Sequence, residues 1–96
     1  MFYTVLCLDK PDSAELRIAT RDAHIVFLKK LGETIKFGGP MLDDSESDMI
    51  GSMIVIESHS LEAAKATMAS DPYAEAGLFA SVDIRPWKWT VGAPDA

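Results

Sequence analysis

A single cysteine, Cys7, rules out any disulfide within the chain. It stands in an apolar, strand-like run, where a thiol is packed rather than reactive. No apolar run approaches the roughly 20 residues that a membrane helix needs. The opening Met1-Phe2-Tyr3-Thr4 lacks the positive charge that begins a secretory signal. Cations are scarce: nine Lys and Arg face fifteen Asp and Glu, a net charge of −6. A nucleic-acid binder shows a basic face and an anionic membrane attracts basic clusters, so neither partner is expected. No phosphate-binding glycine loop, Ser-His-Asp pattern or Cys-His pattern is present, and no repeat or low-complexity segment. The expectation is a cytoplasmic protein with a single domain over residues 1–89 and a flexible tail over 90–96.

What is present has a clear order. Residues 2–8 read as a strand with Phe2, Thr4, Leu6 and Leu8 on one face and Tyr3, Val5 and Cys7 on the other. Both faces are mostly apolar, so each must be covered. After a turn at residues 9–12, Asp12 and Glu15 resemble a capping box, and a helix is expected over 13–31, ending at Gly32. Ala19, Ala23, Val26 and Phe27, flanked by Leu16 and Lys30, mark its expected packing face. Arg17, Arg21, His24, Leu28 and Leu31 form a neighbouring stripe, which puts His24 at the margin of the core near two guanidinium groups.

Residues 34–37 read as a short strand leading into Gly38-Gly39-Pro40. Two glycines allow close approach of a chain or ligand, and Pro40 is expected to end the ladder. Residues 41–50 form an acidic loop, expected to be mobile, with Asp43, Asp44, Glu46 and Asp48. Residues 51–57 are a third strand, apolar on both sides, and Ser60 caps a helix over 61–69. Asp71-Pro72 then starts a helical turn of its own, because the carboxylate caps free N–H groups while Pro takes the first helical position. A last strand is expected over 78–89, with Trp87 and Trp89 on one face.

The order β-α-β-β-α-β is that of a ferredoxin-like α+β fold with a four-stranded antiparallel sheet. Right-handed crossovers put both helices on one face of the sheet. The other face is apolar too, and a large exposed apolar patch is rare on a monomer. A homodimer packed sheet to sheet about a two-fold axis is therefore expected.

Arg21-Asp22-Ala23-His24, Gly38-Gly39-Pro40, the run Asp71-Pro72-Tyr73-Ala74-Glu75-Ala76-Gly77-Leu78 and Arg85-Pro86-Trp87 together resemble the YCII-related (YciI-like) family over nearly the whole chain. The resemblance implies a dimeric α/β barrel and an active-site pair at His24 and Asp71, beside a pocket partly lined by the Gly-Gly-Pro segment. A related dehydrochlorinase of chlorinated hydroxyquinols supplies one chemical precedent.

Each candidate residue has a chemical and a structural reading. His24 is a general acid or base whose tautomer Asp71 sets, or a helix histidine satisfied by a neighbour. Asp71 caps a helix by itself, and a capping carboxylate has a second oxygen free for an imidazole. Arg21, one turn from His24, is the better candidate to bind a substrate carboxylate or phenolate. Arg17 has the same two readings, binding such a group or standing on a solvated face paired with Asp22, Glu15 or the acidic loop, and the solvated face is the expected one. Gly39, Pro40 and Tyr73 are candidate pocket residues; conformation accounts for the first two and packing for the third. Asp44, Glu46 and Asp48 begin like a calcium loop, but Met49 stands where its glycine belongs, so no metal and no cofactor are expected. Trp87 and Trp89 suit packing better than stacking on an aromatic ligand. These residues support proton transfer on a small organic molecule, of isomerase or lyase type. The rival reading is a non-catalytic module that binds a metabolite or serves as a dimeric interaction domain.

Overall fold

The computed structural model describes residues 1–94. Of the expected tail, residues 95 and 96 lie outside the described residues. The elements run β1 (Phe2–Asp9), α1 (Ala14–Leu31), a 3-10 turn (Gly32–Thr34), β2 (Ile35–Leu42), β3 (Met49–Glu57), α2 (Leu61–Ala69), α3 (Pro72–Glu75) and β4 (Phe79–Trp87). The strands form one antiparallel sheet in the order β2-β3-β1-β4. This is the ferredoxin-like α+β fold.

Side-chain alternation decides which face the helices take. Tyr3, Val5 and Cys7 of β1 and Ile54 and Ile56 of β3 share a buried cluster with Ala64 and Met68 of α2, and Phe27 and Leu28 of α1 pack against it. Leu6 and Leu8, on the opposite face of β1, stay 39% and 44% exposed. Near one end of that open face, Phe37 is paired with Val55 and Phe2 with Trp87. The rings of Phe37 and Trp89 lie 5.0 Å apart, and those of Trp87 and Trp89 lie 5.7 Å apart. The tryptophans pack together, as the sequence predicts. β4 stops at Trp87, short of Trp89, because Trp87 already pairs with Phe2, the first residue of β1.

Three local expectations are corrected. The packing face of α1 is not Ala19, Ala23 and Val26, of which Val26 is 52% exposed; Arg17 and His24 are buried instead, with Phe27 and Leu28 half-buried. Apolar residues are spread around this helix, and the polar stripe can turn inward because each buried polar group has a carboxylate partner. The helix also begins at Ala14 without a capping box: Asp12 has φ 58°, and Ser13 donates to the Pro11 carbonyl at 3.3 Å rather than capping.

The Gly38-Gly39-Pro40 segment lies within β2, which pairs with β3 as far as Leu42. β2 is an edge strand, and a proline is tolerated where its missing N–H would face away from the ladder. Gly38 is required there, since a Cβ would sit 2.9 Å from the Met53 carbonyl oxygen. The acidic loop is correspondingly short. Asp43 Oδ1 closes it by accepting from Ser45 Oγ at 2.7 Å and from the Ser47 amide at 3.2 Å. These bonds hold the Asp43 carboxyl below its ordinary range.

Candidate functional site

Asp71 is placed by local sequence. α2 ends at Ala69, and Pro72 at the first helical position starts α3 at once. Asp71 caps that helix, its Oδ1 accepting from the Tyr73 amide at 3.0 Å. The same oxygen, rather than the second one that the sequence leaves free, meets His24 Nδ1 at 2.8 Å. Asp71 is 1% exposed and His24 9%, so the contact is shielded from water. A carboxylate only accepts, so Nδ1–H is the donor of this bond, and in a neutral imidazole that leaves the lone pair on Nε2. Among the described residues Nε2 has no protein partner, yet no buried side-chain nitrogen or oxygen lacks one. Nε2 is therefore open to the space beside it.

Tyr73 fixes the plane of the imidazole. Its ring stacks on His24 with centroids 4.0 Å apart and planes inclined by 20°. The Arg17 guanidinium lies 4.7 Å from the Tyr73 ring centre. Arg17 is anchored by a two-pronged ion pair, Nε to Asp9 Oδ2 at 2.7 Å and Nη2 to Asp9 Oδ1 at 2.9 Å. Asp9 raises the Arg17 pKa further, so its charge is permanent. Burial raises the Tyr73 phenol above its ordinary value, and Arg17 and Arg21 partly offset that.

These groups border a cavity of about 210 Å³ between α1, β2 and β3. Of the sequence-predicted site residues, His24, Arg21, Gly39, Pro40 and Tyr73 line it. Asp71 stands behind His24 and reaches the cavity through the imidazole. Two further polar residues line it: Arg17, whose binding reading was the less favoured one, and Ser52, which the sequence did not single out. Arg17, expected on a solvated face, is 5% exposed and paired with Asp9. Its partner lies eight residues away, at the end of β1, and only the fold joins them. Ser52, in β3, is also 5% exposed. Its signal was a hydroxyl alternating with Ile54 and Ile56 on a core face. Ile25, Leu28, Ile35 and Ile54 give the cavity its apolar wall. Among the described residues no three His, Cys, Asp or Glu side chains gather as a metal site would require. No helix among them is long and apolar enough to cross a membrane.

A family model described as the YCII-related domain matches residues 1–88. An uncharacterized protein of Haemophilus influenzae is 37% identical over 95 residues, covering 92% of this chain and 97% of that protein. Protein YciI of Escherichia coli is 36% identical with the same coverage. Among solved structures, the 5-chloro-2-hydroxyhydroquinone dehydrochlorinase of Burkholderia phenoliruptrix, in complex with 2,5-dihydroxybenzoquinone, is 32% identical with a TM-score of 0.83, covering 92% of this chain and 94% of that one. SnoaB, a cofactor-independent oxygenase of Streptomyces nogalater, has a TM-score of 0.56 at 9% identity over 96% of both chains, and shares the fold alone.

Proposed function

The chain belongs to the YCII-related domain family, and from that premise we propose that it acts on a small organic molecule by proton transfer through His24, held by Asp71. One observation carries the reading: Nδ1 is committed to Asp71 at 2.8 Å while Nε2 stays open beside an apolar cavity. A base so placed takes a proton from a carbon or hydroxyl of the ligand. In an elimination, the electron pair left behind forms a double bond as a leaving group departs with its own pair. In an isomerisation, the imidazolium returns the proton to a different atom. Asp71 stabilises the imidazolium, Arg21 balances charge on the ligand, and Gly39, Pro40 and Tyr73 shape the space around it. The dehydrochlorinase at 32% identity supports the elimination class.

The test is chloride release from 5-chloro-2-hydroxyhydroquinone by the protein and by His24→Ala, Asp71→Asn and the double variant. Each single change is expected to cost about 10²–10⁴-fold in turnover, and the double variant to be little worse, because the two residues act as a unit. Additive losses, or full activity in His24→Ala, would remove the pair from the chemistry.

A second reading rests on the cap. Asp71 is already engaged by the Tyr73 amide, so a non-catalytic binding or dimeric module needs the same residues. Ligand binding without turnover would select it. In either reading residues 1–89 act as a single domain, and the open sheet face, with Leu6, Leu8 and Met53 exposed, packs on a second copy to form a dimeric α/β barrel.

A further inference from the structure

We propose that Arg17 and Ser52 form an oxygen-recognition subsite in the His24 cavity, and that the ligand is a small organic anion with an apolar body of about one ring. The inference rests on the proton-transfer reading for what happens to the bound ligand and shares Arg21 with it; the subsite itself is argued from Arg17 and Ser52, which that reading leaves unused.

Arg17 Nε and Nη2 are both taken by Asp9. Beyond Asp9 the guanidinium meets the Tyr73 phenol, in no well-aligned hydrogen bond among the described residues, and no buried side-chain nitrogen is left unpaired, so Nη1 faces the cavity. The residue is 5% exposed and lines the cavity. Ser52, in β3, repeats the pattern. Its Oγ has no well-aligned hydrogen bond among the described residues, and the Cys7 thiol beside it is a weak partner. A serine at a core position of a strand is costly unless its hydroxyl is satisfied. A ligand oxygen received by both groups would satisfy it.

Charge selects the anion. The Arg17 guanidinium is matched by Asp9, whereas Arg21 has no carboxylate within ion-pair distance among the described residues. The cavity thus carries an uncompensated cation on a chain of net charge −6. Size and polarity select the body. An apolar cavity of about 150 Å³ already admits benzene, and this one holds about 210 Å³ walled by Ile25, Leu28 and Ile54.

The test is an NMR titration with benzoate and with its neutral counterpart benzyl alcohol, following the Arg17 Nε–H and the Ser52 amide. Benzoate is expected to shift both signals and to bind at least about tenfold more tightly than benzyl alcohol. Ser52→Ala, which deletes one oxygen and leaves Cβ in place, should weaken benzoate about tenfold, as loss of a charge-assisted hydrogen bond does. Arg17→Lys should weaken it similarly while keeping a cation against Asp9. If Arg17→Lys fails to fold, Ser52→Ala decides alone. Benzoate that does not bind, binds no better than benzyl alcohol, or binds Ser52→Ala undiminished overturns the subsite. Benzoate that follows Ser52 while His24→Ala keeps full turnover leaves the subsite standing and sinks the proton-transfer reading.

Discussion

At the scale of single residues, Cys7 shows how burial sets reactivity. Its thiol is 1% exposed, and desolvation pushes its pKa from an ordinary 9.0 to about 11, with Asp71 and Asp9 adding to the rise and Ser52 and Arg17 opposing it. The folded protein therefore holds the proton more tightly than the unfolded chain. That stability is fully present below pH 9.0 and is lost as the pH climbs to about 11. The loss amounts to ~2–3 kcal/mol at most. Urea titrations from pH 8 to 11 should show a steeper decline for the native protein than for Cys7→Ala. Parallel declines would mean that the thiol does not titrate across the fold. His24 and Arg17 teach a complementary lesson: their burial is possible only because Asp71 and Asp9 arrive from elsewhere in the chain.

At the scale of elements, β2 tests the correction most directly. A Cβ on Gly38 would meet backbone atoms of Met53 and Ile54 at 2.9 and 3.0 Å, whereas one on Gly39 would meet nothing within 4 Å. Gly38→Ala should cost about 1–3 kcal/mol and lower the melting temperature by several degrees. Gly39→Ala should leave stability unchanged or slightly raised. Equal melting curves for the two variants would refute the pairing of Gly38 with Ile54. Much of the architecture was legible beforehand. The alternation in residues 2–8 and 51–57 marked two-faced strands, Ser60 and Asp71 marked helix starts, and Gly32 marked a helix end. The inward face of α1 was not legible, because its polar stripe reads as solvated until Asp9 and Asp71 are placed beside it. Nor was the length of β2, because Pro40 ends a ladder or continues it according to whether the strand lies at the edge.

At the scale of the whole molecule, the open sheet face is the surface that an assembly would bury. Leu6, Leu8 and Met53 stand exposed beside the cluster of Phe2, Phe37, Trp87 and Trp89. Burial of such a face by an identical copy is the expected outcome. Light scattering at micromolar concentration should give about twice the 10.5 kDa of one chain. A monomer independent of concentration would rule the barrel dimer out. The Asp71 carboxylate ties this larger frame to the chemistry. One oxygen serves two clients, the amide that begins a four-residue helix and the imidazole that reaches it from 47 positions away in sequence. Were that short helix to unwind, the ring would lose its anchor with it. By the same shared oxygen, whatever steadied the ring would steady the turn.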